Sequence, residues 1–138
     1  MAVILVVDDE SSLLALTRLL LEGAGHTALT TANPVEGIEI AKSQLPAVII
    51  VDDHMAEMDG PDVCRILRLD ARTAGIPIGM IGANYEVSKR AMEAGADASL
   101  GKPFYPAEFL SMVDSLLAKS QAGTEEDQAD GSDSADPP

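Results

Sequence analysis

Apolar positions along this chain fall into two kinds of run. Residues 2–7 (AVILVV) and 47–51 (AVIIV) are apolar without interruption, as in strands buried on both faces of a parallel sheet. Between them, residues 11–22 carry Leu13, Leu14, Leu16, Leu19, Leu20 and Leu21 at mixed helical spacings, with Gly23 and Gly25 as a stop; this predicts a helix with a broad buried face. Thr27 to Thr31 is a short Thr-rich strand. Asn33, Pro34 and Glu36 supply an N-cap, a first-turn proline and a first-turn acid for a second helix over 34–43, which ends at Leu45-Pro46. Gly60-Pro61 opens a third helix that runs to Leu69 with Val63, Ile66 and Leu67 inward. A weaker strand over 77–81, a short helix over 86–94 closed by Gly95 and a minimal strand over 98–100 follow. The last helix spans 106–118, with Phe109, Leu110, Val113, Leu116 and Leu117 on its apolar side. Strands alternating with helices predict an α/β fold: a doubly wound parallel sheet with right-handed crossovers and helices on both faces.

Composition divides the chain unevenly. From Lys119 onward it has no Val, Ile, Leu, Met or aromatic residue, so it cannot bury enough apolar surface to offset its ordering entropy. The expected organisation is one folded domain over 1–118 and a disordered acidic tail over 119–138. The first part holds 17 acids and 8 bases and the tail 6 acids and 1 base, within a total of −14. A nucleic-acid surface needs clustered Lys or Arg, and neither part has it. Cys64 is the only cysteine, so no internal disulfide forms and a reducing compartment is natural; it reads as core filler on a helix rather than as a reactive thiol. The first apolar run is too short for a signal peptide or membrane span and ends in two acids. A cytoplasmic protein without membrane insertion is the expectation.

The chemistry sits where the strands end. Asp8 and Asp9 close the first apolar run and Asp52 closes the third strand. If those two parallel strands are neighbours, the three carboxylates converge in the crevice at the carboxyl ends, where open α/β sheets place their ligands. Three clustered carboxylates repel one another, and a hard divalent cation relieves that; Mg²⁺ characteristically takes one or two carboxylates with waters and phosphate oxygens. Lys102-Pro103 lies in a late loop after the last strand.

VVDDE at 6–10, VDDHMAEMDG at 51–60 and GKPF at 101–104, each at a strand end and in that order, make residues 2–118 resemble a two-component response regulator receiver domain of the chemotaxis-regulator kind. The resemblance implies a flavodoxin-like (βα)5 fold with strand order 2-1-3-4-5. It implies Asp52 as phosphoacceptor, Asp9 as a direct Mg²⁺ ligand, Asp8 acting mostly through metal-bound water, and the His54 backbone carbonyl as the third protein ligand. Lys102 would meet a phosphoryl oxygen, with a cis Lys102-Pro103 peptide aiming it inward. The implied partner is a sensor histidine kinase or a histidine phosphotransfer protein. The domain would promote only its own phosphorylation and dephosphorylation, without being an enzyme on other substrates.

Blander readings stand beside these. Asp8-Asp9 also suits a following helix N-terminus; Asp59-Gly60 reads as turn and cap chemistry; His26 and His54 lack metal-ligand spacing. Strand alternation points Asp53 away from the site, so it reads as solvated. The chain also departs from the family pattern. Gly82 stands where a Ser or Thr usually bonds the phosphoryl group, which leaves the main-chain amides of Gly82 and Ala83 for that contact. Ser99 replaces the usual aromatic switch residue, Ala56 a common proline, and the segment from Tyr85 to Gly95 is short for the fourth helix. The expectation is a stand-alone receiver, without an effector domain, that signals by protein contact or serves as a phosphate sink. The alternatives are a pseudo-receiver, used as an interaction module without phosphorylation, and a Mg²⁺-dependent phosphohydrolase. The hallmark of the latter, two aspartates flanking one residue, is absent, since Asp8 and Asp9 are adjacent.

Overall fold

A computed structural model describes residues 1–83 and 86–132, with side chains placed for all of these up to Ser120. Asn84 and Tyr85, and so part of the segment expected to shorten the fourth helix, lie outside the described residues, as do residues 133–138. The order is β1 (Val3–Val7), α1 (Ser11–Gly23), β2 (Thr27–Thr31), α2 (Pro34–Gln44), β3 (Val48–Asp52), α3 (Gly60–Leu69), β4 (Ile78–Gly82), α4 (Val87–Ala94), β5 (Ala98–Gly101) and α5 (Pro106–Ser132). All ladders are parallel, in the order β2-β1-β3-β4-β5. The expected topology is present, and β1 and β3 are neighbours with Val7 opposite Val51.

Side-chain alternation sorts the strands into two cores. Leu5, Val7, Ile49, Val51, Ile78 and Met80 pack with Ile38, Ala41, Val63, Cys64, Leu67, Val87 and Ala91 of α2, α3 and α4. Ile4, Val6, Val48, Ile50 and Ile81 pack on the other face with Leu21 of α1 and Phe109, Val113 and Leu116 of α5. Cys64 is fully buried, and that burial pushes its thiol pKa up. Uninterrupted apolar strands follow directly, because both pleat faces are covered.

Local signals act as expected at several ends. Asn33 Oδ1 accepts from the Glu36 amide at 3.0 Å and Pro34 opens α2. Leu45, at φ 49°, closes that helix in the left-handed region, and Gly95, at φ 90°, closes α4.

Two expectations change. The leucines of α1 do not form a broad buried face: Leu21 is buried, but Leu19 is 69 % exposed and Leu16 38 %. Six leucines in nine positions span more of the helix circumference than one sheet can cover. The last helix does not stop at Ala118 but runs on to Ser132; residues 121–130 contain Ala, Gln and Glu and no proline, so the backbone can propagate an existing helix without an apolar face. Among the described residues no helix is long and apolar enough to cross a membrane.

Candidate functional site

The carboxyl ends of β1 and β3 bring three acids together. One carboxylate oxygen from each of Asp8, Asp9 and Asp52 lies within 4.8 Å of the others. Asp8 and Asp52 are buried and Asp9 is exposed. Each is fixed differently. Asp8 Oδ1 accepts from the Glu10 amide at 2.9 Å, and Asp9 Oδ2 accepts from the Ala56 amide at 3.0 Å. Asp52 Oδ1 accepts from Lys102 Nζ at 2.9 Å, and the same ammonium lies 3.3 Å from Asp8 Oδ2.

Lys102 follows β5, and its amide donates to the Gly82 carbonyl at 2.7 Å, which ties the loop to the end of β4. The Lys102-Pro103 peptide is cis, as the family resemblance implied. Beyond it, a cleft of about 430 Å³ opens beside the acids, lined by Leu13, Leu16, Ala83, Lys102, Pro103 and Phe104.

The electrostatics follow from burial. Desolvation pushes the Asp52 carboxyl up to about 6, against the hydrogen bond from Lys102 and with help from Asp8. Burial also raises Asp8. For Lys102, burial acts against the ammonium, but its bond to Asp52 and the charge of Asp8 outweigh it and hold the pKa above the ordinary value. One ammonium among three carboxylates leaves the pocket negative, and its donors are all hard oxygens. That set fits Mg²⁺ rather than a soft metal.

The other expected residues are placed as follows. Gly82 ends β4, beside β3, and Ala83 faces the cleft. The His54 imidazole is more than half exposed and lies near Asp53 and Asp59, at 3.6 and 3.8 Å. Asp59 is the N-terminal flank of α3 without a side-chain cap bond. Gly60 does more than turn the chain: a Cβ there would overlap the Asp52 carbonyl oxygen and lie 3.1 Å from the Asp53 Cα. Only glycine lets α3 start so close to the phosphoacceptor candidate.

The reading of Asp53 as solvated is overturned. Its side chain is fully buried and accepts from Arg90 Nε at 2.7 Å. Alternation does point it away from Asp52, but in a doubly wound sheet the opposite face is covered by helices, here α3 and α4. Gly82 shares that face. A Cβ at Gly82 would lie 2.6 Å from Asp53 Oδ2 and 2.6 Å from Val87 Cγ2. Arg90 was not singled out in the sequence; its signal is a lone arginine in the short fourth helix, opposite an acid on the face that helix covers.

Comparison with known proteins agrees with this geometry. Residues 4–114 match the response regulator receiver domain family. The alkaline phosphatase synthesis transcriptional regulatory protein PhoP of Bacillus subtilis is 34 % identical over 120 residues, 86 % of this chain and 49 % of that protein. The DNA-binding dual master transcriptional regulator RpaA of Synechocystis is 34 % identical over 119 residues, 85 % of this chain and 49 % of that protein. The chain thus spans about half the length of the curated relatives it matches. Among solved structures, the chemotaxis response regulator CheY4 of Vibrio cholerae superposes with a TM-score of 0.80 at 29 % identity, covering 85 % of this chain and 99 % of that one. A response regulator receiver domain protein from Clostridium thermocellum gives 0.81 at 26 %, covering 88 % and 98 %. With its parallel 2-1-3-4-5 sheet and its acids and lysine at the strand ends, the chain belongs to the response regulator receiver domain family.

Proposed function

We propose that Asp52 accepts the phosphoryl group of a phosphohistidine, presented by a sensor histidine kinase or a histidine phosphotransfer protein. The observation that carries this reading is Lys102 Nζ at 2.9 Å from Asp52 Oδ1, within a cluster of three carboxylates. In the transfer, an Asp52 carboxylate oxygen forms a bond to phosphorus while the phosphorus–nitrogen bond of the donor breaks, and the imidazole departs with that electron pair. Asp52 must be ionised to attack, which its raised pKa permits above about pH 6. Lys102 holds the carboxylate in place and faces the charge of the incoming group, since phosphoryl transfer depends mostly on positioning and electrostatics. Asp8, Asp9, Asp52 and the His54 backbone carbonyl would hold Mg²⁺, which would supply charge neutralisation for the transfer. With no side chain at Gly82, the main-chain amides of Gly82 and Ala83 are the donors left at the end of β4.

The domain promotes its own phosphorylation and dephosphorylation and signals through protein contact; a cytoplasmic location suits its phosphohistidine donors. Residues 121–138 serve as an acidic appendage, whereas Lys119 is tied to Asp97 of the receiver unit. The interaction-module reading keeps one supporting observation: Gly82 has no hydroxyl to offer a phosphoryl group, and Asp53 and Val87 fill the space that a side chain there would need.

Intact-mass measurement after incubation with acetyl phosphate and Mg²⁺ tests the assignment. One phosphoryl group is expected, none in chelator and none in Asp52→Ala. Addition at an unchanged rate in Asp52→Ala would reject Asp52 as the acceptor, and no addition to the wild type would favour the interaction module.

A further inference from the structure

The face of the sheet opposite the acid pocket carries a second charged cluster. Asp53 is 0 % exposed, and its described counterion within hydrogen-bond distance is Arg90, at 2.7 Å, on α4. Arg90 Nη2 lies 3.7 Å from Asp59 Oδ2, too long for a hydrogen bond. Asp53 Oδ2 and Arg90 Nη2 are buried without a hydrogen-bond partner among the described residues. The Asp53 main chain is pinned as well: its amide donates to the Ile81 carbonyl at 2.7 Å and its carbonyl accepts from the Gly60 amide at 2.8 Å. Above it, the Asp53 carboxylate and Val87, the first residue of α4, fill the space that a side chain at Gly82 would need.

We propose that the Asp53–Arg90 pair is a lock: it holds α4 on the end of β3 in one position whether or not the acid pocket on the opposite face carries a phosphoryl group. A shift of α4 by an ångström or two would strip a fully buried carboxylate of its counterion, among the most costly changes a protein interior can undergo. On the other side of the balance, a ligand shifts a conformational equilibrium only by the contacts it makes better in one state. Gly82 offers main chain alone. The pull on β4 and α4 is therefore weak and the restraint strong, and the output of the pocket is confined to the loops around it. The occupied-pocket half of this inference rests on the phosphoacceptor reading; the restraint on α4 does not.

Two measurements test it. In the first, amide hydrogen exchange is followed in the free wild type and in Asp53→Asn/Arg90→Ala, which removes both charges and leaves neither one unpaired. Amides of residues 87–94 are expected to exchange about tenfold faster in the double variant, with β1 and β3 unchanged. Equal exchange in α4 would overturn the lock. In the second, amide spectra of the wild type are compared with and without Mg²⁺ and beryllofluoride, which stands in for the phosphoryl group. Shifts confined to residues 52–60, 82–83 and 101–104 support the lock, and shifts of the same size through 87–94 overturn it. The fluorine spectrum separates the two readings. Absence of a bound beryllofluoride resonance counts against the phosphoacceptor assignment, and the exchange comparison then decides the lock by itself.

Discussion

Asp52 is a carboxylate placed where carboxylates resist ionising, and that has a measurable cost. Its folded pKa of about 6 lies above the ordinary 3.8, so the folded protein holds this proton more tightly than the unfolded chain does. The resulting stability is fully present below about pH 4 and is lost as the pH rises through 6, a change on the order of 3 kcal/mol. Asp97 acts in the opposite sense: its burial is outweighed by Lys119, the Ile78 amide and Arg68, so its pKa is lowered. The quantity to read is therefore the difference between wild type and Asp52→Asn. Urea unfolding in chelator is expected to show the variant gaining relative stability between pH 4 and 7; parallel curves would contradict the burial argument. A second residue-scale prediction concerns Gly82. Because a Cβ there would lie 2.6 Å from Asp53 Oδ2 and 2.8 Å from Val87 Cβ, Gly82→Thr should destabilise by about 1 to 3 kcal/mol, as overpacking typically does. Thermal unfolding would show it, and a neutral effect would mean that this region yields more easily than its packing implies.

At the scale of elements, the apolar pattern made most of the structure legible. Unbroken runs at 2–7 and 47–51 identified strands covered on both faces, and glycine, proline and asparagine marked the ends of α2 and α4. The acids and the lysine were legible for the same reason, because parallel strands deliver their ends to one edge and β1 lies beside β3. What the sequence did not disclose is what covers each face at a given point. Alternation turned Asp53 away from the pocket correctly, but only the packing shows that α4 and Arg90 lie there. The leucines of α1 and the extent of α5 escaped for a related reason: periodicity tells which residues can be buried, while the neighbouring surface decides how many are. Leu116 is the last buried residue described on α5, and from Lys119 onward the chain has no large apolar side chain. Lys119 pairs with Asp97 and so belongs to the domain. Truncation after Ser120 is therefore expected to leave the melting temperature within about 2 °C of the full chain, with some loss of helical circular dichroism. A fall of more than about 5 °C would show that the end of α5 is bound to the domain.

For the whole molecule, charge sets the terms. A net charge of −14 on 138 residues opposes compaction, and a cation bound at the cluster of Asp8, Asp9 and Asp52 would relieve the repulsion among those acids. Mg²⁺ at a hundredfold excess over its Kd should stabilise the fold by about 2.7 kcal/mol, with the gain lost in Asp9→Ala. Calorimetry with and without Mg²⁺ checks this, and an equal gain in Asp9→Ala would exclude Asp9 as a ligand.

The Asp53–Arg90 pair also constrains the order in which this sequence can change. A side chain at position 82 has to displace Asp53 and Val87, which occupy its space, and Arg90 anchors Asp53. Replacing Arg90 first leaves a buried carboxylate without its hydrogen-bonded counterion, with only the His54 imidazole nearby at 3.6 Å. Replacing Asp53 first leaves an arginine that is already 28 % exposed and can turn to water. The less costly order replaces Asp53 before Arg90 and both before position 82, so descendants of this chain that carry a threonine there should have lost the aspartate before the arginine.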